Sequence, residues 1–134
     1  MKRFFLLPII LLSCSLPVET SFQSPMDICT WVHENIKYKP DATNYWQSPE
    51  ETLSLKTGDC EDLAILMIQL CKEKLDIEGF LVVTYKQLPD KLSYHTVTLF
   101  DTVYDPTSGT SDNLYGYNIL FMLSYNDLWL YGDL

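Results

Sequence analysis

The spacing of apolar residues in the first half of the chain predicts two helices. Between Ile28 and Ile36, apolar residues recur at every third or fourth position, which is typical of one buried helix face. Ser24 stands ahead of a proline and is followed three positions later by an acid, so the first helix is predicted to begin there. The same Ser-Pro signal at Ser48 predicts a short second helix that runs to about Leu55.

A third helix is predicted from Asp59 or Cys60 to Leu75, with apolar residues around most of its circumference. A surface helix shows an apolar stripe on one side only, whereas a helix that is apolar on most sides is packed on most sides. This helix is therefore expected to lie at the centre of the domain, and Gly79 follows its end.

From Phe80 onward the apolar residues recur with a period of two, which is typical of β-strands with one buried face. The predicted strands are Phe80–Tyr85, Tyr94–Phe100, Thr102–Asp105 and Ile119–Ser124, with Leu128–Tyr131 as a candidate for one more. The segment Thr107–Tyr117 is rich in Ser, Gly, Asp and Asn and is predicted to be a loop. Helices followed by an antiparallel sheet describe an α+β domain.

The N-terminal segment, residues 1–14, has the layout of a secretory signal. Lys2 and Arg3 form a basic start, nine apolar residues follow in Phe4–Leu12, and Cys14 closes the segment. The Leu-Leu-Ser-Cys sequence that ends at Cys14 resembles the bacterial lipobox, in which cleavage leaves a cysteine that is then lipidated. The alternative is a plain signal peptide cut near Thr20, which would remove Cys14.

Lipidation at Cys14 predicts a protein of the bacterial periplasm or cell envelope that is held at a membrane by its lipid anchor. The chain then divides into a signal peptide at residues 1–14, a polar, proline-containing tether at residues 15–24 and one domain at residues 25–134. No apolar run reaches the roughly 18–20 residues that a membrane-spanning helix needs. The predicted membrane contact is therefore the lipid anchor.

Composition and charge exclude several functional classes. A chain of 134 residues has room for one domain, and a hydrophobic content of 47% excludes a disordered chain. Nine Lys and Arg against eighteen Asp and Glu give a net charge of −9 at pH 7, without a basic stripe. Nucleic-acid binding needs clustered basic residues that neutralise phosphates, so a nucleic-acid partner is excluded.

Cys60 is the leading candidate for a catalytic residue. It lies at the predicted start of the buried helix, where amide N–H groups carry a partial positive charge that favours a thiolate and can bind an oxyanion. The neighbouring carboxyl groups of Asp59 and Glu61 oppose this effect, so a nearby imidazolium is needed to outweigh them. Without such a partner, a Cys at a helix start is more often a passive small apolar residue.

His95 and Asp105 are the candidate partners of Cys60. A tight turn near Asp101 pairs positions whose numbers sum to about 203, which places His95 opposite about position 108. A short shift of the loop then brings Asp105 beside His95, so that the carboxylate orients one ring nitrogen and the other faces Cys60. The alternative is that His95 is a surface residue and that Asp105 belongs to an ordinary Asp-Pro turn, without a catalytic role for either.

Four segments of the chain resemble the transglutaminase-like superfamily. They are Tyr45–Leu53, Gly58–Ala64, His95–Val97 and Tyr104–Thr107, and together they span most of the predicted domain. The Gly-Asp-Cys-Glu-Asp block with an upstream Trp-x-x-Pro-Glu is the most specific part. The resemblance is strongest to the bacterial cysteine proteinases of this superfamily.

This resemblance implies a papain-like fold in which the nucleophile helix packs on an antiparallel sheet. It implies a triad of Cys60, His95 and Asp105 in a cysteine peptidase or amidase that hydrolyses an amide bond of a protein or peptide substrate. Cross-linking by acyl transfer is the less favoured reaction. The alternative from another class is a catalytically inactive member of the fold that serves as a binding or scaffold module.

The resemblance also bears on calcium. In the adhesin-cleaving proteases of this branch, acids beside the cysteine contribute to a calcium site, and the matching residues are Asp59 and Glu61. Calcium takes about six to eight oxygen ligands, of which two acids supply only part. The alternative, slightly favoured, is that Asp59 caps the helix and Glu61 complements its dipole, so that no cofactor is required.

Three further side chains have alternative interpretations. Cys29 and Cys71 are expected either to form a disulfide, which export would favour, or to be two thiols buried on apolar helix faces. Trp46 is expected to pack behind the nucleophile rather than to line a groove beside it.

Overall fold

Four helices and seven strands form the part of the chain that the computed structural model describes, residues 15–112 and 114–131. The helices are α1 (Pro25–Asn35), α2 (Pro49–Leu55), α3 (Cys60–Leu75) and α4 (Tyr125–Tyr131). The strands are β1 (Lys37–Tyr38), β2 (Thr57–Gly58), β3 (Phe80–Gln87), β4 (Leu92–Leu99), β5 (Val103–Asp105), β6 (Thr110–Asp112) and β7 (Asn118–Leu123). None of the described helices has the length and hydropathy of a membrane span. The predicted signal segment, with the predicted lipidation site Cys14, lies outside the described residues.

The three predicted helix starts are confirmed, and each is marked by a local hydrogen bond. Ser24 accepts the Asp27 N–H ahead of α1, and Ser48 accepts the Glu51 N–H ahead of α2. Asp59 caps α3 in the same way. Such side chains satisfy amide groups that have no partner inside the helix, so they specify where a helix begins.

Five strands form one antiparallel sheet in the order β6-β5-β4-β3-β7. A separate parallel pair joins β1 to β2, with Tyr38 opposite Gly58. The apolar pattern did not predict this pair, because strands of two residues show no period. The predicted α+β class, with helices ahead of an antiparallel sheet, is confirmed.

Two predictions in the second half of the chain are wrong. The candidate strand Leu128–Tyr131 is part of helix α4, where Ser124 accepts the Asp127 N–H as a cap and Leu128 is the buried residue. The predicted loop Thr107–Tyr117 contains strand β6, which is polar and pairs with β5. A short apolar run fits a helix as well as a strand, and a polar edge strand lacks the alternation by which strands are recognised.

Helix α3 lies at the centre of the domain, as predicted. Every residue from Leu63 to Ile68 is buried. One side of the helix forms a buried cluster with Ile28 and Val32 of α1. Another side packs on the sheet, where it contacts Leu81 of β3. Helix α3 is therefore packed between α1 and the sheet.

The segment 15–24, predicted as a tether, is packed on the domain at two points. Leu16 and Val18 are buried in the cluster between α1 and α3. The Leu16 N–H donates to Glu73 Oε1 at 2.9 Å, and the Lys74 ammonium donates to the Val18 carbonyl. Two apolar side chains of this segment are therefore part of the buried core.

Candidate active site

The start of α3 is built around Asp59 and Asp62. Asp59 Oδ1 accepts the Asp62 N–H at 3.2 Å, and Asp62 Oδ2 accepts the Asp59 N–H at 3.0 Å, so the two acids cap the helix reciprocally. A Cβ atom on Gly58 would lie 2.7 Å from Asp62 Cβ, so the close approach of the chain requires glycine. This arrangement presents Cys60 at the first position of the helix.

The Cys60 thiol faces strand β4. The backbone N–H of Thr96 is near enough to the sulfur to lower its pKa, and the thiol itself donates to Glu61 Oε2 at 3.4 Å. Thr96 follows His95 directly in the chain. The fold therefore brings the predicted nucleophile against the sheet at the residue next to the predicted base.

Burial, followed by the negative charge of Glu61, raises the pKa of the Cys60 thiol to about 12. The Thr96 N–H lowers the pKa, but by less than burial and Glu61 raise it. The expectation that the helix terminus favours a thiolate is corrected here, because the sulfur is shielded from water and lies beside a carboxylate. Removal of the Cys60 proton near neutral pH therefore requires a base.

The side chains of His95 and Asp105 are in contact, with His95 Nε2 2.7 Å from Asp105 Oδ2. The Thr107 N–H donates to the other carboxylate oxygen at 3.0 Å. Burial raises the pKa of Asp105, but the hydrogen bond and charge of His95, with the Thr107 N–H, bring it below its usual value. Asp105 is therefore ionised at neutral pH and is placed to accept the Nε2 proton of His95.

The strand register explains this contact. Strand β4 pairs with β5 through Thr98 and Tyr104, and continuing the register places Asp105 opposite Val97, one diagonal step from His95. The predicted register differs from the observed one by a single residue. The juxtaposition of the two side chains therefore needs no shift of the loop.

The loop after β5 is held by contacts that the sequence did not reveal. The exposed His33 of α1 contacts the Thr107 carbonyl through Nδ1 at 3.0 Å. Gly109 has φ of +75°, and a Cβ there would lie 2.7 Å from His33 Cγ. The ring of Tyr117 lies 6.1 Å from the ring of His95. Backbone partners and ring contacts of this kind have no residue-type signature, so only the fold shows them.

Asp62 also joins α3 to the segment ahead of α2. Its Oδ1 accepts the Gln47 N–H at 2.8 Å, and Gln47 Oε1 accepts the Thr52 hydroxyl at 2.9 Å. Asp62 is 1% exposed, and burial raises its pKa to about 7 although two backbone N–H donors favour the charged form. Trp46, the residue before Gln47, packs against the buried cluster that includes Ile65 of α3.

A cleft of about 710 Å³ opens next to the candidate residues. Glu61 and Tyr94, the chain neighbours of Cys60 and His95, both line it. Trp46 lines the cleft as well and also packs against the buried cluster between α3 and the sheet. It therefore takes both of the roles considered for it, packing and lining a groove.

The predicted calcium ligands Asp59 and Glu61 both lie at the start of α3, and burial, followed by the neighbouring Asp59, raises the pKa of Glu61. Asp59 Oδ1 also caps α3, and Glu61 Oε2 also accepts the Cys60 thiol. Within residues 15–112 and 114–131, no group of three or more His, Cys, Asp or Glu side chains is arranged to hold a metal ion. Two acids supply only part of the roughly six to eight oxygen ligands of Ca²⁺, so calcium binding here stays a prediction.

Calcium binding at Asp59 and Glu61 nevertheless has a direct test. We expect the Tm of the chelator-treated protein to stay unchanged when millimolar Ca²⁺ is added, because two acids engaged elsewhere bind the ion too weakly to stabilise the fold by mass action. Differential scanning calorimetry measures this. A rise in Tm that disappears in the Asp59→Asn variant would restore the calcium assignment.

Cys29 and Cys71 are buried as separate thiols. Burial raises the pKa of each to about 12. The structure thus corresponds to the thiol interpretation rather than to the disulfide. Because both have the same raised pKa as Cys60, they are useful internal references for its reactivity.

The chain matches the family model described as the transglutaminase-like superfamily over residues 13–115. This match spans Cys60, His95 and Asp105. A comparison with curated proteins finds no match.

Solved structures share the fold at low sequence identity. A candidate cysteine protease of Cytophaga hutchinsonii aligns with a TM-score of 0.57 and 21% identity, over 80% of this chain and 38% of that chain. LapG of Legionella pneumophila, in an EGTA-treated form and in a second structure, aligns with a TM-score of 0.59 and 16% identity, over 74% of this chain and 61% of that chain. The chain thus spans less than two thirds of the length of these neighbours.

Proposed function

Because this chain belongs to the transglutaminase-like superfamily, we propose that it is an exported thiol hydrolase that cleaves an amide bond of a protein or peptide through Cys60, His95 and Asp105. The observation that carries the proposal is the 2.7 Å contact between His95 Nε2 and Asp105 Oδ2. His95 is adjacent on β4 to Thr96, whose backbone N–H lowers the pKa of the Cys60 thiol. The cysteine-protease-like neighbours support a protein substrate.

In the proposed reaction, Asp105 accepts the Nε2 proton of His95 and so directs Nδ1 to act as the base. The Cys60 sulfur attacks the substrate carbonyl carbon while its proton passes to Nδ1. The oxyanion that forms is stabilised by amide N–H groups in the first turn of α3. His95 then protonates the leaving amine, and the C–N bond breaks to leave a thioester on Cys60.

Water completes the proposed reaction. His95 takes a proton from the water as it attacks the thioester carbonyl, and Cys60 leaves as the thiol when the acid product is released. If an amine took the place of water, the same thioester would give acyl transfer, which is the reaction considered second.

Two forms of this mechanism differ in whether Cys60 is a thiol or a thiolate before the attack, and the raised pKa of Cys60 favours the thiol. A thiol with a pKa of about 12 is protonated in the resting protein, so a preformed thiolate–imidazolium pair is disfavoured. His95 therefore acts as a general base during the attack.

Alkylation of the three described thiols by iodoacetamide tests the proposal. Burial raises the pKa of Cys29, Cys60 and Cys71 alike to about 12, so an unassisted thiol at any of these positions should label very slowly near pH 7. If His95 removes the Cys60 proton, Cys60 should label at least about tenfold faster than the other two. Peptide mass spectrometry after a timed reaction measures each rate.

Variants of the two partner residues provide the control for accessibility. His95→Ala should reduce the labelling of Cys60 to the rate of an unassisted thiol, whereas Asp105→Asn should reduce it less, because Asp105 only orients the ring. Equal labelling of Cys60 with and without His95 would show that no activated thiol exists. The fold would then serve as a binding or scaffold module, the alternative that the raised pKa of Cys60 favours.

We also propose that the mature protein begins at a lipidated Cys14 and is held at a membrane of the bacterial cell envelope. The Leu-Leu-Ser-Cys sequence supports this. Because Leu16 is buried between α1 and α3, an anchor at Cys14 would hold that side of the domain close to the bilayer. Mass spectrometry of the mature N-terminus should find Cys14 as a lipid-modified first residue, and an unmodified terminus after position 14 would contradict the proposal.

A further inference from the structure

The walls of the cleft beside Glu61 are mainly aromatic. Tyr45, Trp46, Tyr94 and Tyr131 line it together with Phe121. The Trp46 and Tyr131 rings lie 4.9 Å apart, and the Phe121 and Tyr131 rings lie 5.8 Å apart, so these three form one continuous surface. Tyr45, Tyr94 and Tyr131 are each more than half exposed, which leaves their side chains accessible to a ligand.

The charge of the cleft has one sign. Glu61 is the only acidic residue of the described lining, which includes no Lys, Arg or His. Glu61 lies next to Cys60, and its Oε2 is 3.4 Å from the Cys60 sulfur. A positive group that reaches Glu61 would therefore lie close to the bond that the thiol attacks. The net charge of −9 also raises the local concentration of cationic ligands over anionic ones.

Aromatic faces and a carboxylate together fit a cation better than a purely apolar group. A guanidinium ion stacks on aromatic rings and pairs with a carboxylate in two parallel hydrogen bonds. An apolar side chain would pack on the rings but would bury the Glu61 carboxyl group without a partner of opposite charge, which lowers the binding free energy gained. An acidic side chain would be repelled by Glu61.

We propose that this cleft is a specificity site that takes an arginine side chain of the substrate, on a residue adjacent to the bond that is cleaved. This assignment rests on the proposed thiol hydrolase, because it places the scissile bond at Cys60. Glu61 binds the guanidinium, and the rings of Trp46 and Tyr94 pack against the aliphatic stem and the cationic plane.

The test compares arginine with citrulline, which has the same shape but no charge. The Cys60→Ala protein, which cannot react, is titrated with N-acetyl-arginine amide and N-acetyl-citrulline amide in a buffer that contains a chelator, so that no divalent ion occupies Glu61. Binding is followed by NMR through the indole N–H of Trp46. We expect the arginine compound to bind about tenfold more tightly than the citrulline compound.

Two variants in the Cys60→Ala protein assign the preference to the cleft. Glu61→Gln should bring the two affinities to within about twofold, whereas Glu34→Gln, which removes the same charge from an exposed position on α1, should keep the difference. Tyr94→Leu should weaken the binding of both compounds, because it removes a ring that each of them contacts. Three results would overturn the proposal. The first is equal affinity of the Cys60→Ala protein for both compounds, and the second is no detectable binding of the arginine compound at millimolar concentration. The third is a difference in affinity that persists in the Glu61→Gln variant.

The active protein separates this proposal from the proposed function. Peptide amides that differ only in arginine or citrulline before the cleavable bond are supplied as substrates. Hydrolysis of both at equal rates would overturn the arginine site and support the hydrolase. Selective binding of arginine at Trp46 without hydrolysis of either peptide would support the arginine site and overturn the hydrolase.

Discussion

Replacing His95 with alanine should lower kcat/KM for amide hydrolysis by about three orders of magnitude. The loss is large because the pKa of Cys60 is raised to about 12, so little thiolate is present without a base to remove the proton. His95 is also the group that protonates the leaving amine in the proposed reaction. Steady-state hydrolysis of a peptide amide, with the folded state checked by circular dichroism, measures the effect.

Two matched variants show whether the effect comes from proton transfer. Asp105→Asn keeps an oxygen that can accept the Nε2 proton, so its loss of kcat/KM should be smaller than that of His95→Ala. His33→Ala removes the other histidine of the chain, which supports the Thr107 loop, and should cost less than about tenfold. A loss in His33→Ala as large as that in His95→Ala would mean that loop geometry, not the base, limits the reaction.

Replacing Asp62 with alanine should destabilise the fold by about 2–4 kcal/mol, because it leaves the buried N–H groups of Gln47 and Asp59 without their acceptor. For a domain of this size, such a loss corresponds to a decrease in Tm of roughly 10 °C or more. Thermal unfolding followed by circular dichroism measures the change. Glu34→Ala, an exposed acid on α1, is the control and should change Tm little.

The loss of stability in Asp62→Ala should change with pH in a known direction. Burial raises the pKa of Asp62 to about 7 in the folded state, above its usual value of 3.8, so the folded protein binds the proton more tightly than the unfolded chain. The contribution of Asp62 to stability is therefore greatest at low pH and declines as the pH rises towards 7. The deficit of Asp62→Ala should be larger at pH 5 than at pH 8. A deficit that grows with pH would show that Asp62 is stabilising as the carboxylate.

Local chemistry explains which elements were predicted correctly. Ser24, Ser48 and Asp59 each satisfy a helix amide within three residues of themselves, so the start of a helix is encoded where it occurs. The burial of α3 follows from its apolar circumference, because only a central position covers all its sides.

Elements without a local signal were predicted wrongly. Strand β6 is polar and forms because its backbone pairs with the free edge of β5. The apolar run Leu128–Tyr131 is helical, and Ser124 caps that helix. The mostly polar composition of segment 15–24 predicts a tether, yet Leu16 and Val18 are buried between α1 and α3. Only the burial of Leu16 and Val18 depends on partners far away in the sequence, because β5 and Ser124 lie within a few residues of the elements that they affect.

The sequence by itself determined the α+β class, the position of Cys60 at the start of a buried helix and the identities of its candidate partners His95 and Asp105. These follow from caps, apolar period and residue type, all of which act over a few neighbouring residues. The 2.7 Å contact of His95 with Asp105 and the burial that raises the pKa of the Cys60 thiol depend on the tertiary structure. The physical reason is that distance, burial and electric field depend on groups brought together from distant parts of the chain, and no local pattern carries that information.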